Sequence, residues 1–324
     1  ARSLRALAGA LLATAAFAPA AQAESAADFP NRTVRIVLPL PPGSVNDAGL
    51  RILADKLAER WKQPVVIENK PGASSIIATE AVVRAQPDGH TLLANVALIV
   101  QNPALRKKLP YDTFKDLTPV TQLNRQQLSV FVRSDLPVHN IADLLKLARE
   151  NPGKINFGSW GLGSTAHLLL ETLNNDFNVK MVHVPYKGGL SQPVASGQVD
   201  VGVGDLLAPM PFFKSGQIRP IAVSGAERLA ILPQVQTLKE AGVTGFDVDN
   251  WLGIFAPSGT PPEIIRKISD DINAVQAEPA MKKRFEDEMY VFPSFTTPEQ
   301  FAAIVQESSK NWTSVIEKAG VTLD

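Results

Sequence analysis

The chain is 324 residues long and carries 32 Lys+Arg against 32 Asp+Glu, a formal net charge of zero. It is 45% hydrophobic and 20% charged, so it is a globular chain with room for two domains. Zero net charge gives no electrostatic footprint for a nucleic acid or an anionic membrane surface. The absence of cysteine excludes disulfides, thiolate metal sites and cysteine nucleophiles together.

The N-terminus reads as a secretory signal. Arg2 and Arg5 form a basic stretch, Ala6 to Phe17 an apolar run, and Ala21-Gln22-Ala23 a small-x-small cleavage site. Residues 1–23 are therefore expected to be removed, leaving Glu24 first in a soluble, exported protein.

Thr33 to Leu38 is expected to be a buried strand, stopped by Pro41-Pro42-Gly43, with a helix to follow up to Trp61. Ser44-Val45-Asn46-Asp47 has capping-box spacing, with the Asp47 carboxylate reaching back to the Ser44 N–H. Asp47 could instead accept from a ligand donor. Val65 to Ile67 is a second strand, followed by Pro71-Gly72-Ala73-Ser74-Ser75 and a helix over Ile76 to Ala85. Thr91 to Ala94 is a third strand. Asn102 to Asp116 reads as an irregular surface segment. This alternation predicts an α/β domain with a parallel sheet, whose ligands sit beyond the strand ends.

A second such unit follows. Val120 to Leu123 and Leu128 to Val132 read as strands, and Asn140 caps a helix carrying Ile141, Leu144, Leu145 and Ala148. Ile155 to Phe157 is a strand leading into a Gly loop and a helix from Thr165. Further strands are expected over Val182 to Val184, Val199 to Val203, Ile218 to Val223 and Trp251 to Phe255. Helices over Pro262 to Val275, Pro279 to Glu288 and Pro298 to Ala319 close the chain.

Three loops, Pro42–Asp47, Pro71–Ser75 and Gly158–Thr165, place Gly beside Ser or Thr just before a helix. Their N–H and hydroxyl groups suit a carboxylate without any buried Arg, and equally suit ordinary helix capping. Gly161-Leu162-Gly163-Ser164-Thr165-Ala166 has the form of a dinucleotide fingerprint. The next strand, however, ends at Pro185-Tyr186-Lys187 rather than at an acid. His90, His139, His167 and His183 are isolated in sequence, and His167 suits packing or capping. No nucleophile elbow, zinc-protease motif or P-loop is present. Tyr186 and Asp205 end strands of the second unit, where they contact a ligand or bond locally.

Several segments together resemble one family. They are Leu38-Pro39-Leu40-Pro41-Pro42-Gly43 with Asp47, Glu68-Asn69-Lys70-Pro71-Gly72-Ala73, Gln86-Pro87-Asp88-Gly89-His90-Thr91-Leu92, and Asn151-Pro152-Gly153-Lys154-Ile155-Asn156-Phe157-Gly158. His183-Val184-Pro185-Tyr186-Lys187-Gly188-Gly189 and Phe255-Ala256-Pro257-Ser258-Gly259-Thr260-Pro261 extend the match across the mature chain. They resemble the Bug family, the extracytoplasmic receptors of tripartite tricarboxylate transporters.

The resemblance implies an α/β, two-lobed periplasmic-binding-protein fold of the Venus flytrap, type II-like kind, with two crossing hinge strands near Thr118–Leu123 and Asp247–Leu252. Residues 24–121 plus 250–324 would form lobe one and 122–249 lobe two. It implies a periplasmic, monomeric receptor in a Gram-negative bacterium that closes on a small carboxylate and serves membrane permease subunits. No cofactor, metal or catalytic residue is implied. The ligand-binding residues it implies are Pro42, Gly43, Ser44, Asp47, Ala73, Ser74 and Ser75 from lobe one. Lobe two adds Ser159, Trp160, Gly163, Ser164, Thr165, Tyr186 and Asp205. Ser44 replaces the family's usual second Gly, and Trp160 and Leu162 stand where small or polar residues are usual. Trp160 either stacks on an aromatic ligand or fills the lobe core. The competing reading is an exported α/β enzyme, such as a hydrolase of a carboxylic acid derivative.

Overall fold

The computed structural model describes residues 26–186, 188–247 and 250–323. The expected signal sequence lies outside the described residues.

The first unit alternates strand and helix: β1 (Val34–Leu38), α1 (Val45–Trp61), β2 (Val65–Asn69), α2 (Ile76–Val83), β3 (Thr91–Val96), α3 (Leu98–Leu105) and β4 (Leu117–Gln126). Four of the five residues of β1 are buried, as a strand covered on both faces requires. The second unit comprises β5 (Ser129–Arg133), α4 (Ile141–Glu150), β6 (Asn156–Ser159), α5 (Thr165–Asp176), β7 (Val182–Pro185), α6 (Ser191–Ala195), β8 (Val201–Gly204), α7 (Met210–Lys214) and β9 (Ile218–Val223). The chain returns through β10 (Asn250–Pro257), α8 (Pro262–Gln276), α9 (Pro279–Lys283), β11 (Phe292–Pro293) and α10 (Pro298–Ala319).

The strands form two sheets. The six-stranded sheet has the order β11-β4-β10-β3-β1-β2, and the five-stranded sheet β7-β6-β8-β5-β9. β1 is parallel to β2 and β3, whereas β10 runs antiparallel to β3 and β4. In the second sheet β6 is parallel to β7 and β8, and β5 is antiparallel to β8 and β9. Each parallel strand of β1, β2 and β6 therefore delivers its following loop to one end of its sheet.

Two features differ from expectation. β4 was expected to leave the first lobe after Thr121, yet it pairs with β10 as far as Gln126↔Asn250. The antiparallel ladder, with two register irregularities along it, carries β4 that far, so only Gln127 and Leu128 separate β4 from β5. The segment Asn102–Asp116, expected to be irregular, begins inside α3, which buries Ile99, Val100 and Leu105 and tolerates Pro103 within it.

α10 belongs to both lobes. Its 22 residues reach roughly 33 Å, long enough to cross the junction. Phe301 packs against Trp251 and Phe255 of β10, while Trp312 meets Phe246 edge-on at 5.8 Å. Asn311 Nδ2 donates to Gly245 O at 3.0 Å, and Asn175 Nδ2 on α5 donates to Ala319 O at 3.2 Å. One apolar core runs through Val82, Ile99 and Phe301 into Leu168, Leu169 and Phe246.

Candidate functional site

Loop one joins β1 to α1. Gly43 takes φ +82°, and a Cβ there would meet nothing within 4 Å, so the glycine serves conformation and not crowding. Ser44 caps α1, its Oγ accepting the Asp47 N–H at 3.2 Å. The Asp47 carboxylate does not reach back to Ser44 as the capping-box spacing predicts. It accepts the Gly43 N–H at 2.9 Å, because the Ser44 N–H turns to Pro41 O instead. Arg51 Nε at 3.1 Å and Asn69 Nδ2 at 2.8 Å complete its shell. Asp47 is 3% exposed, so its oxygens are engaged inside the protein and not presented to a ligand. Burial pushes its carboxyl up, but Arg51, the Gly43 N–H and Asn69 together outweigh this and hold it below the ordinary carboxylate value. Arg51 also reaches Asn69 Oδ1 at 2.7 Å, and Asn69 Nδ2 holds Leu40 O at 3.0 Å. The exposed tip, Pro41 to Gly43, thus sits on a braced base.

Loop two is conformationally strained. After Gly72, Ala73 (φ +46°), Ser74 (φ +51°) and Ser75 (φ +75°) are all left-handed. That conformation costs a non-glycine residue about 1–2 kcal/mol. Three in succession make one left-handed turn, closed by the Ser75 N–H donating to Gly72 O at 3.1 Å, which leaves the N–H groups of Ala73 and Ser74 on its outer side. The turn is held from behind. Asn102 Nδ2 donates to Ser74 O at 2.7 Å, and Thr79 Oγ1 donates to Ser75 O at 2.9 Å. Asn95 Nδ2 in turn donates to Thr79 Oγ1 at 3.3 Å.

Loop three joins β6 to α5. Ser164 caps α5, accepting the His167 N–H at 3.3 Å and donating to Gly161 O at 2.7 Å. His167 Nδ1 accepts the Gly163 N–H at 3.1 Å, so His167 caps the loop, as expected of it. The tertiary fold adds a partner: the His167 and His183 rings lie 4.3 Å apart. Burial, and then the neighbouring His183, lower His167 to about 4. Burial alone lowers His183. Both rings are therefore neutral near pH 7.

Ser159 Oγ lies 2.5 Å from His183 Nε2, a nucleophile–base pair that the sequence does not reveal. It is poorly placed for catalysis. Ser159 is fully buried, and its Oγ already accepts the Gly161 N–H at 3.0 Å. The ring next to His183 is another neutral histidine, where a triad needs a carboxylate to hold the imidazolium. The fingerprint reading of Gly161–Ala166 meets a similar obstacle. A Cβ on Gly163 would lie 2.7 Å from Leu323 Cδ1 and 3.0 Å from Leu105 Cδ1, so that backbone is packed against protein.

Trp160 is 39% exposed and Leu162 60% exposed, which excludes Trp160 as a filler of the lobe core. The Tyr186 ring packs beside Leu190 and Val194, and its N–H donates to Ser159 O at 2.8 Å. Asp205 Oδ1 accepts the Leu207 and Ala208 N–H groups at 3.0 and 3.2 Å. Burial nevertheless raises the Asp205 carboxyl above its ordinary value.

α3 ties the loops together with two adjacent side chains. Asn102 holds loop two of the first sheet, and Gln101 Nε2 donates to Thr165 Oγ1 of the second at 3.2 Å. Gln126, the last residue of β4, donates to Asn46 Oδ1 beside loop one at 3.3 Å. Arg51, Asn69, Gln101, Asn102 and Gln126 are absent from the residues expected at the site. The polar pair Gln101-Asn102 directly after the apolar run Leu98-Ile99-Val100 is the one sequence signal that marks any of them. Among the described residues, no group of His, Cys, Asp and Glu is arranged to hold a metal ion. The N–H groups of Gly43, Ser44, Ser75, Gly161, Gly163 and Ser164 are taken up within the loops, so what the site offers an anion is the first-turn N–H groups of the helices that follow and the hydroxyls beside them.

A family model described as "Tripartite tricarboxylate transporter family receptor" matches residues 50–321. The chain belongs to this family. It is a solute-binding receptor and not an enzyme, which sets aside the exported hydrolase. Among relatives, the UPF0065 protein in the gbd 5'region of Cupriavidus necator is 34% identical over 99% of this chain and 98% of its own. Rpa4515 from R. palustris, solved with adipate, is 32% identical with a TM-score of 0.83, covering 91% of this chain and 99% of its own. The periplasmic binding protein BugD is 30% identical with a TM-score of 0.80, over 91% and 99%. The expected family and two-lobed binding-protein fold are thereby borne out. Among the described residues, no helix is long and apolar enough to cross a membrane.

Proposed function

We propose that this receptor works in the periplasm of a Gram-negative bacterium, exported by residues 1–23. It closes two lobes on a small carboxylate and delivers it, as a monomer, to the permease subunits of a tripartite tricarboxylate transporter. Lobe one comprises residues 26–126 with 250–323, and lobe two 127–247, α10 lying across both. The observation that supports this reading is the tethering of loops two and three, one from each sheet, to adjacent positions of α3 by Asn102 and Gln101. The carboxylate is received by loop one at Pro42–Ser44, loop two at Ala73–Ser75, and loop three at Gly163–Thr165. Asp47 and Ser159 shape these loops from inside. Trp160 borders the cleft, with Tyr186 and Asp205 behind it in lobe two. The adipate in Rpa4515 supports the ligand class.

Thermal denaturation with a panel of carboxylates tests it. A ligand at a hundredfold its Kd stabilises the fold by about 2.7 kcal/mol. At ~2–4 °C per kcal/mol this is a rise of several degrees in midpoint. Chemical turnover of any such ligand, or no response to any member of the panel, would sink the proposal.

A further inference from the structure

We infer that the ligand is an aryl carboxylate: one carboxylate group on a flat apolar body, in preference to a short hydroxylated or tribasic acid. This rests on the receptor reading above and concerns the same cleft.

Large exposed apolar side chains gather at the mouths of the loops. Ile77, 50% exposed, follows loop two, and Trp160 and Leu162 form the tip of loop three. The side chain of Ile77 lies across the open side of Gly72, where an added Cβ would sit 2.8 Å from Ile77 Cδ1. The tip of loop three stands clear of the body, since a Cβ on Gly161 would meet nothing within 4 Å. Asn102 and Gln101 bind loops two and three to successive positions of α3, which brings the two loops to one place in the fold. Between them the amide of Gln101 is fully buried, yet its Oε1 has no hydrogen-bond partner. A buried polar atom left open at a tether between two lobes marks a place where ligand or ordered water completes the shell.

Charge makes the same selection. Arg51, the cation bonded to loop one, is committed to Asp47 and Asn69. One carboxylate suits neutral donors, whereas each further carboxylate must be desolvated as well. An apolar body meets no such penalty, and a ring laid on Trp160 gains from stacking beyond its buried area.

The test uses 3-phenylpropionate and benzoate against malate and citrate, measured by titration calorimetry and tryptophan emission on the full mature chain. Trp61, Trp251 and Trp312 are buried, so the part of a ligand-dependent emission change that disappears in Trp160→Ala reports Trp160. Expected are tighter binding of an aryl acid than of malate or citrate, and a change in emission. In Trp160→Ala the affinity for the aryl acid drops by roughly tenfold. Leu162→Ser, at a position 60% exposed, weakens it in the same direction. Tighter binding of malate or citrate would overturn the inference and leave the receptor reading intact. So would unchanged aryl-acid affinity in Trp160→Ala. A panel in which no carboxylate binds at all would instead overturn the receptor reading beneath it.

Discussion

Asn102→Ala isolates the strain in loop two. Asn102 is fully buried and donates to Ser74 O at 2.7 Å, with Ser75 Oγ at 3.4 Å. Losing that donor leaves a carbonyl without its partner, a cost of about 1–3 kcal/mol for a buried group. The turn it supports stores about 1–2 kcal/mol in each of three left-handed residues. Without Asn102 the turn is free to relax and recover part of that energy, so global stability falls by less than the lost bond alone suggests. Affinity follows the opposite course, because the ligand must then rebuild the turn. A rebuilding cost of about 1–3 kcal/mol weakens binding roughly 5- to 150-fold. Urea denaturation and calorimetric titration of one bound carboxylate measure the two effects separately. The reasoning fails if Asn102→Ala loses its full bond energy in stability while affinity stays at the wild-type value.

Further outcomes follow from the same geometry. Asp47→Asn removes charge-assisted bonds from Arg51 and Gly43, a loss of about 1.5–3 kcal/mol at pH 7 by urea denaturation. Because the native Asp47 carboxyl is held low, its contribution is present above the unfolded value near pH 4 and fades as pH falls through the native value. The gap between variant and wild type should narrow there. His167 is held low by burial and by His183, so the unfolded chain binds a proton that the native chain refuses between about pH 6.5 and 4. Wild-type stability should decline across that window by up to about 3 kcal/mol, and His167→Gln should show a flatter profile; parallel profiles would refute the neutral pair. Gly163→Ala combines φ +74° with close contacts to Leu323 and Leu105. It should cost about 1–3 kcal/mol in denaturation and loosen the lobe junction; a variant as stable as wild type would contradict the packing.

The fold class was legible because strand and helix alternate with clear apolar periods and turn residues. β1, β6 and the loops after them stand close to where the sequence places them. α3 escaped notice because Pro103 and the polar pair Gln101-Asn102 interrupt its apolar pattern, and tertiary burial overrides both. The short helices α6 and α7 lack the length for a periodic signal.

The candidate site divides along the same line. Local chemistry, meaning a glycine where φ is positive and a serine where a helix begins, was readable from neighbouring residues alone. So the sequence by itself determined the three loops and their capping serines Ser44 and Ser164. Only the tertiary structure decided which groups are consumed and which are presented. Arg51 and Asn69 exhaust Asp47, Asn102 holds the turn at Ser74, and His183 is brought against His167 from 16 positions away. Those bonds join residues from different strands and helices, and no spacing along a chain encodes a contact that exists only after the sheets have formed.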